Sequence, residues 1–318
     1  MKNKYSSVLV TGGAGFIGSH LVDRLLENGF EVRVIDDLST GKSENITAHV
    51  GKSSFRFVKG DIRNFETVKK AVEGVEVIFH EAALSGVRQS IDKPLLTNDV
   101  NVNGTLNLLE ASLKFSVKRF IYASSAAVYG MQEAVPIKED VVPRPDSPYG
   151  VSKLASEYYL TAYHKNYGLE TVSLRYFNVY GSRQSPFYGL VITAFVEKLA
   201  RNESPVIHGD GEQTRDFINV ADVVEANMLA MEKSHAGEIF NVATGSSLTV
   251  NGIFKLLQSI MGKEQIEPVH GAPQPLDRRQ SCADITRAKE ILGFKPNISI
   301  EKGLTDFVES WKQTVRSY

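Results

Sequence analysis

The sequence predicts an α/β protein with a doubly wound parallel sheet and a smaller α/β lobe in the C-terminal half. Short β-branched runs alternate with stretches of helical periodicity from residue 6 to about 176, which indicates right-handed βαβ units. Several of these runs are apolar at consecutive positions, as expected for strands covered on both faces. After Arg175, glycines and prolines become frequent. We therefore expect a second lobe that closes over the carboxyl edge of the sheet, where open α/β sheets bind ligands.

The elements follow in chain order from these periodicities. Strands are predicted at 8–10, 31–35, 55–58, 75–79, 119–123 and 171–175, and a short piece at 238–243 returns to the main sheet. Helices are predicted at 16–27, 65–72, 102–113, 153–167, 190–201 and 250–261. The main domain then comprises 1–176 with returning segments near 216–245, and the second lobe comprises 177–215 and 246–318.

Composition excludes several classes of protein. The 318 residues carry 36 Lys and Arg against 37 Asp and Glu, so electrostatics alone gathers neither nucleic acid nor anionic lipid. No segment approaches the roughly 20 apolar residues of a membrane span. The single cysteine, Cys282, excludes an intramolecular disulfide and fits a reducing cytosol, so we expect a cytoplasmic protein. The seven histidines show no metal-ligand spacing, and no metal is expected.

A glycine-rich loop joins the first strand to the first helix. Residues 11–18 read Thr-Gly-Gly-Ala-Gly-Phe-Ile-Gly. Gly12 and Gly15 allow a dinucleotide pyrophosphate to approach the helix N-terminus, and Gly18 allows the helix to pack on the strand. At the end of the second strand, the carboxylate of Asp36 is placed to accept hydrogen bonds from a ribose 2′-OH and to repel a 2′-phosphate. The pattern predicts a Rossmann-type domain that binds NAD; the alternative is a glycine-rich turn followed by a solvated Asp.

Three polar residues have the chain order of a catalytic site. Tyr149 and Lys153 are four residues apart, which places them on one helical face about one turn apart. An ammonium beside a phenol favours the phenolate, which brings the pKa of Tyr149 down from ~10. Tyr149 is therefore a candidate general base and acid for an alcohol hydroxyl. Ser125, at the end of the fifth strand, can hydrogen-bond the reacting oxygen and relay its proton.

Taken together, the motifs resemble those of the extended short-chain dehydrogenase/reductases. The resemblance covers nearly the whole chain, and it is strongest to the UDP-hexose 4-epimerases. The segments that carry it are the glycine loop, the strand end at Ser125, Tyr149-x-x-x-Lys153, Asn-Val-Asn-Gly-Thr at 101–105, Arg-Tyr-Phe-Asn-Val-Tyr-Gly at 175–181, and Gly-Asp-Gly running into Arg-Asp-Phe at 209–217. It implies a cytoplasmic homodimer with tightly held NAD and a UDP-sugar substrate, and we expect helices 102–113 and 153–167 to pair across the dimer.

The resemblance also implies the residues of both binding sites. The cofactor residues are Gly12, Gly15, Phe16, Ile17, Gly18, Asp36, Ser39, Thr40, Gly41, Lys42, Asp61, Ile62, Ala82, Ala83, Leu84, Asn101, Tyr149, Lys153 and Tyr176. The substrate residues are Ser85, Gly86, Ser125, Tyr149, Asn178, Val191, His208, Arg215, Arg278 and Ser281. In this set Asn178 and Arg215 contact the substrate diphosphate, and His208 lines the uridine pocket. An ion pair at the protein surface is the alternative role for Arg215.

The two residues after Ser125 favour epimerisation over related reactions. The similar nucleotide-sugar 4,6-dehydratases carry acidic residues there, and the UDP-glucuronate decarboxylases carry an acid nearby. This chain has Ala126 and Ala127, whose methyl groups cannot move protons. UDP-glucuronate 4-epimerases are the nearest alternative; they usually carry Thr at Asn178 and need a cation, for which Arg88 or Arg183 could serve. A non-catalytic NAD-binding sensor is the alternative of a different class.

Ser281 is the position from which we predict the sugar. Epimerases restricted to glucose and galactose carry a bulky Tyr there, whereas a Ser leaves room for an N-acetyl group. We therefore expect UDP-GlcNAc and UDP-GalNAc to be accepted as well as UDP-Glc and UDP-Gal; the alternative is that Ser281 is only a loop residue. The family usually places an Arg for the diphosphate where this chain has Gln274. Arg278 or Arg279 is expected to replace it.

Overall fold

The computed structural model describes residues 4–132, 134–184, 191–233, 235–274 and 278–316. The strands are β1 (Ser7–Thr11), β2 (Glu31–Asp36), β3 (Phe55–Lys59), β4 (Val77–His80), β5 (Arg119–Ser125), β6 (Glu170–Tyr176), β7 (Asn178–Tyr180), β8 (Val206–His208), β9 (Thr214–Arg215), β10 (Phe217–Asn219), β11 (Glu238–Val242), β12 (Leu248–Thr249) and β13 (Val269–Gly271). The helices are α1 (Phe16–Glu27), α2 (Phe65–Val72), α3 (Val87–Asp92), α4 (Pro94–Asn98), α5 (Gly104–Lys114), α6 (Pro148–Tyr167), α7 (Val191–Ala200), α8 (Val220–Glu232), α9 (Val250–Met261) and α10 (Ile300–Arg316).

Seven parallel strands form the central sheet, in the order β11-β6-β5-β4-β1-β2-β3. The chain starts in the middle of the sheet, builds one half through β2 and β3, and then crosses β1 to build the other. This is the doubly wound arrangement that the sequence predicts, including the return of β11 beside β6. The carboxyl ends of all seven strands meet at one edge, where such sheets bind ligands.

Most predicted elements agree with the structure to within a few residues, and α6 is the main difference. It begins at Pro148, five residues before the predicted start at 153. Ser147 is the N-cap, because its hydroxyl accepts the N–H of Gly150 at 3.2 Å. Pro148 occupies the first turn, where its missing N–H has no helical partner to lose. The first residue of the predicted helix 190–201, Leu190, lies outside the described residues.

Two apolar layers cover the two faces of the sheet. Side chains alternate between faces along a strand, so Val8 and Val10 pack in one cluster and Leu9 packs in the other. The first layer includes α1 and α8, and the second includes α2, α5 and α6. Burial on both faces is the reason why these strands are apolar at consecutive positions.

A separate apolar cluster forms the core of the C-terminal half. It joins α7, α9 and α10 through side chains such as Phe195, Phe254 and Phe307, together with β7, β8 and β10. Its three two-stranded sheets pair β10 with β7, β12 with β9, and β13 with β8. In the described part of the chain, no helix combines the length and hydrophobicity needed to cross a bilayer.

Candidate active site

A cleft of about 1220 Å³ opens along the carboxyl edge of the sheet and continues against the C-terminal cluster. Its walls contain nearly all of the residues that the sequence predicts for the cofactor and the substrate. The exceptions are Gly41, which packs against Asp36, and Asn101, which lies buried behind the wall. The amide of Asn101 holds the backbone of Leu84 through two hydrogen bonds (2.8 and 3.1 Å) and donates to the Ser152 hydroxyl at 2.9 Å.

The glycine loop is shaped for an anionic group. Gly12 has φ +67°, and a Cβ there would lie 2.8 Å from the backbone of Ala82 on the neighbouring strand end. A Cβ on Gly18 would collide with the Gly12 carbonyl oxygen. Gly15 is the N-cap of α1 and offers no side-chain acceptor to the N–H groups of the first turn, which also contains no acidic residue. These features fit the pyrophosphate of a dinucleotide.

Asp36 lies at the end of β2, buried beside the glycine loop. Its two carboxylate oxygens accept the N–H groups of Leu38 (2.8 Å) and Ala14 (3.0 Å). Burial raises the pKa of Asp36, and these two backbone N–H groups oppose the rise. A carboxylate oxygen that accepts one hydrogen bond retains a lone pair, so Asp36 can also accept a ribose hydroxyl. Further along the edge, Asp61 and Ile62 line the cleft, and Asp61 pairs with Arg63.

Ser125, Tyr149 and Lys153 all line the cleft. Ser125 ends β5, and its hydroxyl accepts the N–H of Ala127 at 3.1 Å. Tyr149 lies in the first turn of α6, where its N–H donates to the Ser90 hydroxyl at 3.1 Å. Lys153 follows one turn later, with its Nζ 5.9 Å from the centre of the Tyr149 ring. A hydroxyl, a phenol and an amine therefore line the same cleft.

The ammonium of Lys153 is held in a desolvated position. The residue is only 3 % exposed, and its Nζ donates to the carbonyl of Ala123 at 2.6 Å. Burial lowers the pKa of Lys153 to about 8, against the opposing effect of the carboxylates of Glu81 and Glu157. Lys153 is therefore a cation near neutral pH whose charge depends on its surroundings.

The opposite wall contains the residues predicted for the substrate. Asn178 and Val191 line it, and the Asn178 amide donates to the carbonyl of Asp216 at 3.1 Å. Ser281 also lines the cleft and is almost fully buried. His208 is exposed at the rim, with Nδ1 3.1 Å from the carbonyl oxygen of Ala272.

Three arginines lie near position 274, where this chain has a glutamine instead of the arginine that usually contacts the diphosphate in the family. Arg215 and Arg278 line the cleft, and the Arg215 guanidinium donates to the carbonyl of Arg278 at 2.7 Å. Arg278 donates to the carbonyl of Ala126 at 3.2 Å and lies 3.6 Å from the Asp146 carboxylate. Arg279 instead points to solvent and pairs with Asp210 at 2.7 Å. Of the two candidates for replacing the missing arginine, Arg278 is the one in the cleft; residues 275–277 lie outside the described residues.

Sequence reasoning missed four acidic residues that line the cleft, Asp37, Glu81, Asp92 and Asp146, and two of them have unusual surroundings. Glu81 follows directly after β4 and accepts the hydroxyl of Tyr176 at 2.9 Å. Asp146 lies just before the cap of α6, and its Oδ2 is buried with no hydrogen-bond partner among the described residues. The available signal for Glu81 was a charged residue directly after a strand whose four residues are all buried. No group of three His, Cys, Asp or Glu side chains in the described ranges is close enough to hold a metal ion.

Comparison with known proteins identifies the family of this chain. Residues 8–243 match the model of the NAD-dependent epimerase/dehydratase family. A UDP-glucose 4-epimerase of Thermotoga maritima, solved with UDP-glucose, is 44 % identical, with a TM-score of 0.93 over 97 % of this chain and 99 % of that one. A UDP-N-acetylglucosamine 4-epimerase of Methanobrevibacter ruminantium, solved with UDP-N-acetylmuramic acid, is 37 % identical, with a TM-score of 0.94 over 98 % and 100 %. A UDP-glucuronic acid 4-epimerase of Bacillus cereus, solved with UDP-glucuronic acid and NAD, is 35 % identical, with a TM-score of 0.91 over 97 % and 99 %.

These matches define the protein as an NAD-dependent enzyme with a Rossmann-type fold. The chain belongs to the NAD-dependent epimerase/dehydratase family, and within it to the UDP-sugar epimerases and their dehydratase relatives. The three relatives bind three different sugars, so membership of the family does not identify the substrate.

Proposed function

We propose that the protein interconverts the C4 epimers of UDP-hexoses and accepts N-acetylated sugars as well as UDP-Glc and UDP-Gal. The observation that carries the proposal is that Ser125, Tyr149 and Lys153 line the same cleft as Ala126 and Ala127. The three polar groups can move a hydroxyl proton, whereas the two methyl groups leave no acid at the positions where the dehydratases place theirs. Arg278, which donates to the carbonyl of Ala126, also lies 3.6 Å from the Asp146 carboxylate.

Each of the three residues has a distinct role in this reaction. Tyr149 removes the proton of the sugar 4′-OH and later returns it, and the Ser125 hydroxyl hydrogen-bonds the same oxygen. The Lys153 ammonium stabilises the phenolate of Tyr149 by its charge. When bound, NAD supplies the acceptor and then the donor of the hydride at C4. The 4-keto sugar turns over in the cleft between the two transfers, so that the hydride returns to the opposite face.

The remaining wall residues bind the nucleotide sugar. Arg215 and Arg278 are adjacent cations, and the planar guanidinium group suits the oxygens of a diphosphate. We assign the diphosphate to these two arginines and Asn178. In this scheme the main domain (1–176 with segments near 216–245) holds NAD, and the lobe (177–215 and 246–318) holds the UDP-sugar.

The size of residue 281 is proposed to decide whether an N-acetyl group fits. We expect the wild-type protein to convert both UDP-Glc and UDP-GlcNAc, and Ser281→Tyr to lose UDP-GlcNAc conversion by at least about 100-fold, because the ring fills a buried wall of the cleft. UDP-Glc conversion should change by less than about 5-fold. The measurement is chromatographic separation of the C4 epimers after incubation with each sugar.

Ser281→Ala is the matched control, since it adds no atom and should keep both activities. If the wild-type protein converts UDP-Glc and not UDP-GlcNAc, the argument from Ser281 is wrong and the epimerase mechanism stands. If it converts only UDP-glucuronate, the alternative function, that of a UDP-glucuronate 4-epimerase, is correct. Arg88 favours that candidate, because it lines the cleft without an ion pair to any described residue.

We also propose a homodimer formed through α4 and α6. Leu95 is 86 % exposed, and Val151 and Tyr158 on α6 are exposed as well, which is unusual for large apolar side chains. Helix 102–113, the other expected pairing helix, buries Val102, Leu108 and Leu109 in the core of its own chain. We therefore place the interface on the exposed apolar side chains of α6 and of α4, the short helix packed beside it.

A further inference from the structure

We propose that Glu81 is the counter-ion of Lys153: a positioning residue whose carboxylate keeps the buried lysine protonated beside Tyr149. The inference rests on the proposed function for its catalytic meaning, since it assigns a partner to the lysine of that mechanism. The charge relation between Glu81 and Lys153 can be measured without turnover.

Lys153 requires a negative partner. It is desolvated, and its ammonium has only one backbone acceptor in the described structure, the carbonyl of Ala123. Two carboxylates lie near it. Glu157 is one turn further along α6, and Glu81 follows His80, which pairs in register with Tyr122, so Glu81 lies beside Ala123, whose carbonyl holds the lysine Nζ. The charges of both carboxylates favour the protonated lysine. The two carboxylates differ in whether they form an ion pair with another cation.

The charge of Glu157 is neutralised by an arginine. Its two carboxylate oxygens accept two guanidinium nitrogens of Arg175 at 2.9 and 2.7 Å, and the Ser124 hydroxyl donates to the same group. Both members of the pair are almost completely buried. Because Arg175 offsets its charge, Glu157 acts on the pKa of Lys153 less strongly than Glu81 does.

Glu81 has no such cation. No described Lys, Arg or His side chain lies within 4.0 Å of its carboxylate, and its one hydrogen bond comes from the hydroxyl of Tyr176. The amide of Asn227 donates to the Tyr176 oxygen at 2.7 Å, so the single Tyr176 proton is directed at Glu81. These two hydrogen bonds present a donor to the Glu81 carboxylate, and the charge of Lys153 favours the ionised form of that carboxylate.

The ionisation of the pair follows from its surroundings. Burial raises the pKa of Glu81 to about 7, while the Tyr176 hydroxyl and Lys153 oppose the rise. Burial lowers the pKa of Lys153 to about 8 even with Glu81 present. The other titratable groups around the lysine are Tyr149 and Glu157 on α6, Tyr122 on β5 and His80 on β4. Glu157 is paired with Arg175, and burial holds the pKa of Tyr122 above its usual value and the pKa of His80 below it, so none of these three groups replaces the Glu81 charge when it is removed.

The test is a titration of Lys153 in wild-type protein and in Glu81→Gln. The amide can still accept the Tyr176 hydroxyl but carries no charge. An opposite charge nearby favours the ionised form, so its loss should lower the pKa of Lys153 by about 1–3 units. The readout is the ¹³Cε chemical shift in protein with labelled lysine, with the Lys153 signal assigned by its absence in Lys153→Arg. The alkaline limit of epimerisation should move to lower pH by the same amount.

Glu139→Gln is the matched control. Glu139 is another carboxyl whose pKa is raised by burial, but it accepts the backbone N–H of Asn241 and does not face Lys153. That variant should leave the Lys153 titration unchanged, and Glu81→Asp, which keeps the charge, should restore most of the wild-type value. An unchanged Lys153 pKa in Glu81→Gln would overturn the proposal. If wild-type protein converts no UDP-sugar, the proposed function fails while this titration still decides the role of Glu81.

Discussion

We expect Tyr149→Phe to lower the rate of epimerisation by about 10²–10⁴-fold, the usual contribution of a positioned acid–base group. The phenylalanine keeps the ring in the first turn of α6 and removes only the hydroxyl. The N–H of residue 149 can still donate to Ser90, so the helix start should be preserved. Retention of NAD, measured by extracting nucleotide from the purified protein, should change little. The loss should therefore appear in kcat rather than in folding.

Tyr122→Phe provides the matched control for this experiment. Tyr122 also lies against Lys153, with its ring centre 4.8 Å from the Nζ, but it is buried and does not line the cleft. Its variant should keep the epimerisation rate within a few-fold of wild type. If Tyr149→Phe retains more than about a tenth of the wild-type kcat, Tyr149 is not the acid–base residue.

The second large effect is on stability. Glu157→Ala should lower the free energy of unfolding by about 3–5 kcal/mol, because it leaves the Arg175 guanidinium in the core without its carboxylate. The side chains of Arg175 and Glu157 are 3 % and 1 % exposed, so water cannot replace the missing partner. Urea denaturation followed by circular dichroism measures the change.

The surface pair Arg24–Glu225 is the comparison for this effect. Its side chains are both exposed, and Arg24→Ala should cost less than about 1 kcal/mol. The double variant Glu157→Leu with Arg175→Met should recover much of the lost free energy of unfolding, since it removes both charges and leaves no unpaired charge in the core. Equal costs for Glu157→Ala and Arg24→Ala would contradict this account of the buried pair.

The sequence predicted those structural features whose determinants lie close together along the chain. The glycine loop and α1 were predicted to the residue because the strand, the turn glycines and the amphipathic helix occur within about twenty positions. The proximity of Tyr149 and Lys153 was predictable because a four-residue spacing on a helix places two side chains about one turn apart. The predicted helix range 153–167 began too late, since Pro148 occupies a favoured first-turn position once Ser147 caps the helix.

Contacts between distant parts of the chain could not be predicted in this way. Glu81 and Tyr176 are 95 positions apart, and Asn227 lies 51 positions further on. Only the strand order, which brings the ends of β4 and β6 to one edge, makes these residues neighbours. The choice between Arg278 and Arg279 could not be predicted for the same reason. Adjacent in sequence, they separate because one turns into the cleft and the other pairs with Asp210 at the surface.

The central claim is that the hydride at C4 leaves the sugar and returns to it within one active site. The most direct test uses UDP-sugar carrying deuterium at C4, incubated with protein purified without added cofactor, followed by mass spectrometry of the separated epimer. Our account predicts that the product keeps the deuterium at C4 and that no NADH accumulates. Loss of the label to solvent would contradict it, since that outcome requires removal of the C4 hydrogen as a proton.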